Sequence, residues 1–278
     1  ARSGKVKGTA VPQLEIRSEG LVRVDAQNGF AFPAIALAIS ELLNRMPKTG
    51  IAAAGIIRSH HAGRIGAHVE ALAVQGMIAL MFANTPKAMA PWGGSQPVFG
   101  TNPIAFASPR AGKSPLVIDL SLSKVARGKV MVADKAGEII PEGWALDQNG
   151  QTTTDPKLAL AGSMVPLGDA KGAALSLMVE ILSASLIGAN HSFEATSFFE
   201  AEGAPPGVGQ MIIAIDPQKF GGQGFETRVS ALCSAILEQS GTRLPGASHG
   251  QKRQDARQNG VNIPPHLRKE IEDLITDV

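Results

Sequence analysis

Two adjacent histidines, His60 and His61, follow the continuous apolar run Gly50–Ile57 and precede the turn Ala62-Gly63-Arg64. An unbroken apolar run predicts a strand covered on both faces, and turns at such strand ends are where α/β proteins assemble their sites. An imidazole there can act as acid, base or hydrogen-bond donor, or can be a structural partner only; the pair alone leaves both open. A zinc site is disfavoured, because His60, His61 and His68 have no Cys or carboxylate at ligand spacing. Gly63 stands at the N-terminal side of one predicted helix and Lys171-Gly172 opens another. Helix starts offer free N–H groups and a positive dipole end, which suits phosphate or carboxylate, although Gly also precedes helices for conformational reasons alone. No Gly-x-Gly-x-x-Gly turn follows a strand and no P-loop occurs, which disfavours an ordinary Rossmann site. The single Cys233 lies on the apolar side of a predicted helix and reads as packing rather than nucleophile. Near the end, Ser248-His249-Gly250 with Arg253 forms a pattern that acquires meaning only in the right structural context.

The elements that must position these residues read as follows. A strand at Leu21–Asp25 turns at Asn28-Gly29 into an Ala- and Leu-rich helix from about Pro33 to Met46. The apolar run ending at His60, a helix from Ile65 to Gln75 and an apolar strand at Met77–Ala83 make a β-α-β unit. A strand at Pro115–Leu120, a polar loop from Gly137 to Pro156 and the most apolar helix, opened by Lys171-Gly172, come next. Then come a loop rich in Phe, Glu and Pro, a strand at Met211–Ile215 and a helix near Phe225–Glu238. Beyond Leu244-Pro245-Gly246, a last helix carries Leu267, Ile271, Leu274 and Val278 on one face, a stripe that needs a partner. The opening residues Ala1–Gly8 are basic and read as unstructured.

With 278 residues, 44% of them hydrophobic, the chain can bury a substantial core. The net charge is only +2, and ten Phe, two Trp and no Tyr provide no basic stripe interleaved with stacking aromatics. That composition argues against nucleic acid and for a small anionic metabolite as partner. No secretory leader is evident, and the apolar stretch Gly172–Gly188 is broken by Glu180 and several Ser. It reads as a buried helix rather than a membrane span, so the expected location is cytoplasmic.

Eight collinear segments carry a resemblance over nearly the whole chain. They are Ser59-His60-His61-Ala62-Gly63, Ala90-Pro91-Trp92-Gly93-Gly94, Gly100-Thr101-Asn102-Pro103-Ile104-Ala105, Ile118-Asp119-Leu120, Val125-Ala126-Arg127-Gly128-Lys129, Ile140-Pro141-Glu142-Gly143-Trp144, Leu167–Gly172 and Arg243-Leu244-Pro245-Gly246. Together they resemble the malate/L-lactate dehydrogenase family of non-Rossmann NAD(P)-dependent oxidoreductases. The double His and His191-Ser192-Phe193-Glu194 lean toward its Δ1-piperideine-2-carboxylate/Δ1-pyrroline-2-carboxylate reductase branch.

The resemblance implies an α/β fold of the non-Rossmann NAD(P)-binding type, a mixed sheet with surrounding helices and a C-terminal helical tail. Residues 1–246 would form the NAD(P)-binding and substrate-lining body, and 247–278 a tail that packs with N-terminal helices. It implies that His60, His61, Ala62, Gly63, Arg64, Asp119, Leu120, Ser121, Arg127, Gly128, Ala170, Lys171 and the segment Arg243, Leu244, Pro245, Gly246, Ala247, Ser248 and His249 surround NADPH or NADH. Thr101 would touch the substrate. Ala170 stands where the family usually has His, so one cofactor contact is altered. The family's catalytic Ser-His-Gly and its carboxylate-anchoring Arg lie upstream of the segments matched here, so no catalytic residue is assigned. Ser248-His249-Gly250 reads as a decoy in a cofactor-facing position.

The expected activity is hydride transfer to the C=N or C=O carbon of a small cyclic 2-imino or 2-oxo carboxylate. The alternatives are a malate/L-lactate-type 2-hydroxyacid dehydrogenase, or a truncated protein that binds cofactor without turnover. A homodimer is implied by the same resemblance.

Overall fold

The computed structural model describes residues 1–221 and 224–276; the side chains at 248, 249, 251 and 276 lie outside that description. Strands β1 (Gln13–Ser18) and β2 (Leu21–Asp25) form a hairpin that leads into helix α1 (Ala31–Thr49). Ala34, Ile35, Ala38, Leu42 and Met46 recur at helical spacing and are buried, so one stripe of α1 seals one face of the sheet. Gly50 ends the helix in the left-handed region (φ 69°), where its N–H reaches the Met46 carbonyl. Then come β3 (Ile51–Ser59), α2 (Gly66–Val74), β4 (Ile78–Ala83), β5 (Ile104–Arg110) and β6 (Lys113–Leu120).

The middle of the chain builds a smaller layer: α3 (Arg127–Ala136), β7 (Ala145–Leu146), β8 (Thr152–Thr153), α4 (Pro156–Ala161) and β9 (Ser163–Met164). Helix α5 (Ala170–Glu180) runs into a π-helical turn, Ile181–Ser185. Strand β10 (Val208–Ile215) returns to the main sheet and is followed by α6 (Pro217–Gly221), α7 (Phe225–Leu237), α8 (Ala247–Asn259) and α9 (Pro265–Thr276).

The main sheet has the order β1-β2-β3-β10-β4-β5-β6, and the small one β8-β7-β9. β2 pairs parallel with β3, and every other described pairing between these strands is antiparallel. β10 lies between β3 and β4 and is antiparallel to both, so the expected β-α-β unit is a parallel pair held one strand apart. This late insertion has no local sequence signal. One buried cluster packs α1 and α2 on the sheet, and a second joins the sheet to the small layer through Leu122, Val130, Ile140 and Met164. The second cluster reaches β4 through Leu80 and Phe82, so both faces are covered there, which explains why that strand reads as a continuous apolar run. The polar loop 137–156 contains the short β7 and β8. The opening segment is ordered by contact: Lys5 and Val6 are buried. No described helix is long and apolar enough to cross a membrane.

Candidate active site

Register places the C-terminal ends of β3, β4 and β6 beside the N-terminal ends of β10 and β5, with Ser59 opposite Val208, Phe82 opposite Ile104 and Ile104 opposite Leu120. The loops leaving this end enclose a cavity of about 470 Å³, a volume that suits a small ligand. His61, Thr101, Ser121, Arg127 and Gly128 line it, five of the residues singled out from sequence. The stretch Thr85–Ala88, Ala126, Ala195 and the stretch Ser197–Glu200 complete the wall.

Thr101 is held from below. Its N–H donates to Thr85 Oγ1 at 2.9 Å, and the two hydroxyls lie 3.3 Å apart. Gly100 permits this approach, since a Cβ there would sit 2.2 Å from the Thr85 carbonyl oxygen. Asn102, fully buried with φ 39°, donates to Glu180 Oε1 at 2.7 Å and to the Ser176 carbonyl at 3.2 Å. Glu180 is 5% exposed and accepts in addition the Ser192 N–H at 3.0 Å and the Ser192 hydroxyl. A buried carboxylate with three donors thus locks the Thr101 turn to the start of the loop that forms the opposite wall.

Arg127 opens α3, and one of its guanidinium nitrogens donates to the Leu160 carbonyl at 2.9 Å. Burial pushes its pKa down, yet an Arg stays charged in proteins. The N-cap Ala126 supplies no side-chain bond to the helix start, and a Cβ on Gly128 would meet nothing within 4 Å. An uncapped helix N-terminus, an open backbone and a guanidinium form an anion-accepting set, to which Lys87 adds a second cation at the cavity. This donor set fits the pyrophosphate of a nicotinamide dinucleotide.

Burial lowers the pKa of His61, and Gly63 N–H donates to its Nδ1 at 3.0 Å. The neutral ring therefore carries its proton on Nε2. Burial above all, with the neighbouring His61 and Lys5, pushes His60 down to about 4. Both imidazoles rest on Phe198, with centroids 4.8 Å (His60) and 5.4 Å (His61) away.

The other singled-out residues stand apart from this cavity. Ala62 is buried, and its carbonyl lies 2.9 Å from His68 Nε2. Arg64 reaches Glu70 at 3.5 Å. Asp119 turns its Oδ2 to the Gly66 N–H at 2.9 Å, so this carboxylate, not an external anion, caps the start of α2 behind Gly63. Leu120 pairs with Ile104 in the ladder. Ala170 and Lys171 begin α5 and are exposed, beside a neighbouring cavity of about 500 Å³ lined by Trp92, Lys124 and Asp169. In the turn before α8, Arg243 and Pro245 are exposed, Leu244 is buried, and Gly246 approaches the Val117 carbonyl on β6; Ala247, which begins α8, is exposed. The side chains of Ser248 and His249 lie outside the described residues, and Arg253 of the same pattern forms a two-point pair with Glu70 at 2.7 and 3.1 Å. Cys233 is buried. Among the described residues no group of three or more His, Cys, Asp or Glu is placed to hold a metal ion.

Sequence reasoning missed Lys87, although it follows a strand end as His60 does. It also missed Phe198 and the Glu180–Asn102–Ser192 network, whose members are far apart in the chain.

(2R)-3-sulfolactate dehydrogenase (NADP(+)) of Chromohalobacter salexigens is 53% identical over 271 residues, covering 98% of this chain and 80% of that protein. Δ1-pyrroline-2-carboxylate/Δ1-piperideine-2-carboxylate reductase of Pseudomonas putida is 40% identical over 278 residues, again covering 98% of this chain and 80% of that protein. The crystal structure of Δ1-piperideine-2-carboxylate reductase from Pseudomonas syringae pv. tomato superposes with a TM-score of 0.92 at 41% identity, covering 98% of this chain and 82% of that one. The family model described as malate/L-lactate dehydrogenase matches residues 1–272, and the chain belongs to that family of oxidoreductases.

Proposed function

We propose that the chain uses NADPH or NADH to move a hydride to or from C2 of a small 2-oxo or 2-imino carboxylate, at the cavity between His61 and Arg127. The observation that carries this reading is the joining, at one sheet end, of an uncapped helix start, a guanidinium, a neutral imidazole and the braced Thr101. Bound NAD(P)H would supply the hydride. Arg127 and the first N–H groups of α3 would hold its anionic oxygens, and the bare Gly128 backbone lets them approach. His61 would donate from Nε2 without adding charge, and the Thr101 hydroxyl would orient the substrate. Phe198 and Phe199 would keep water from the reacting carbon. We assign no general acid among the described residues.

Two substrate classes compete. Cyclic 2-imino carboxylates are supported by the reductases 40% identical to this chain. A 2-hydroxy acid with a second anionic group, as in 3-sulfolactate, is supported by the 53% identity to the sulfolactate dehydrogenase and by Lys87, a cation on the cavity besides the Arg127 assigned to the cofactor. Turnover of Δ1-pyrroline-2-carboxylate with NADPH or NADH, and of 3-sulfolactate, malate and lactate with NADP+ or NAD+, decides between them. Cofactor binding without turnover of any substrate would favour the non-catalytic reading. A homodimer is the assembly we propose, supported by the exposed apolar side chains of α9, Leu267, Ile271 and Leu274.

A further inference from the structure

The wall of the cavity opposite Thr101 is a long irregular loop between the π-turn and β10. At its base it is closed on itself: Asn190 N–H donates to the Gly207 carbonyl at 3.0 Å and Asn190 Nδ2 to the Pro206 carbonyl at 3.0 Å. Its cavity-lining tip, Ser197–Glu200, is gripped by the first residues of the chain. Lys5 Nζ donates to the Ser197 carbonyl at 2.7 Å and to the Glu200 carbonyl at 2.9 Å, and the Ser3 hydroxyl donates to the Ala201 carbonyl. Lys5 is 5% exposed, and its ammonium is met by backbone carbonyls rather than by a carboxylate among the described residues. A buried ammonium needs compensation, and the two carbonyls on either side of Phe198-Phe199 supply it. Both bonds form only when the loop wraps around Nζ, and that wrap seats Phe198 on His60 and His61.

We propose that Lys5 is a positioning residue for the active site: its ammonium fixes the Ser197–Glu200 wall and, through Phe198, the cavity-lining His61 and its neighbour His60. This rests on the cofactor reading above for its consequence, but not for its geometry. Lys5→Met keeps the stem and removes the donors. Losing two charge-assisted bonds should speed amide exchange of residues 195–201 about ten- to a hundredfold. The His60 titration midpoint, followed by NMR, should rise from about 4 as the nearby charge is lost. The Kd for NADPH, read from nicotinamide fluorescence, should weaken about threefold or more as the binding-competent wall is less populated.

Lys7→Met, exposed two residues further on, is the control and should change none of the three readouts. A folded Lys5→Met with unchanged loop exchange overturns the proposal, and so does faster exchange with unchanged NADPH affinity. If the wild-type chain binds no NADPH, the cofactor reading fails, while loop exchange and the His60 midpoint still decide whether Lys5 sets the wall. Should Lys5→Met not fold, Phe198→Ala deletes the ring that the clamp seats; unchanged NADPH affinity there overturns the role.

Discussion

Replacing Glu180 with alanine would strand three donors in a closed space. Its carboxylate accepts from Asn102 Nδ2 at 2.7 Å, from Ser192 N–H at 3.0 Å and from the Ser192 hydroxyl, and all three residues are buried. A buried donor left without a partner costs about 1–3 kcal/mol; Asn102 Nδ2 retains only its longer bond to the Ser176 carbonyl, and the Ser192 hydroxyl only its 3.4 Å contact with Asn102 Oδ1. The losses do not add in full, because the substitution also removes the cost of keeping a carboxylate away from water. A net destabilisation of about 3–5 kcal/mol is expected for Glu180→Ala. Glu180→Gln keeps one acceptor oxygen and points an NH2 at a donor, so roughly half that loss is expected. Urea unfolding followed by circular dichroism reads both. The same substitutions release Asn102 from its positive φ and with it the neighbouring Thr101, so substrate KM should rise in Glu180→Gln under conditions where the protein stays folded. A Glu180→Ala protein within about 0.5 kcal/mol of wild type would refute the reasoning, since that is the range of an ordinary surface change.

Asp119→Ala should cost about 1 kcal/mol by removing the cap on Gly66 N–H at the start of α2, measured as a shift in urea midpoint. His60 is held at about 4 and His61 is lowered, so both bind protons less readily in the fold than in the unfolded chain. Unfolding then takes up as many as about two protons between pH 6.5 and 4, and stability should fall as pH drops through that window and stay level above it. Replacing both histidines with Gln should flatten the slope; an unchanged slope would contradict the assignment. Leu267→Glu with Ile271→Glu should lower the apparent mass in light scattering if α9 lies in a subunit interface, because its apolar face is exposed in the single chain. An intact oligomer would move the interface to another surface.

Much of the architecture was legible because local rules agreed with the fold. The apolar run before His60, the helix with Ala34 through Met46 on one face, and the chain stop at Gly50 each carry a local cause. The placement of β10 between β3 and β4 was not legible, since strand partners distant in sequence leave no mark on either strand. At the site, His61, Thr101, Ser121, Arg127 and Gly128 meet at one cavity, whereas Lys171 and Arg243 stand outside its lining. Asp119 shows why a motif underdetermines a role: the same carboxylate that ends a strand beside the site is used to start a helix. The opening segment looked loose because its basic residues have no pattern. Lys5 is held by carbonyls almost two hundred residues away, beyond the reach of any periodicity.

Titration of the chain with NADPH, followed by nicotinamide fluorescence, tests the central claim most directly. Saturable binding is predicted for wild type, with Arg127→Met weakening it about ten- to a hundredfold through loss of a charge-assisted contact. No saturable binding by wild type, or an Arg127→Met protein that binds as tightly, would contradict the account.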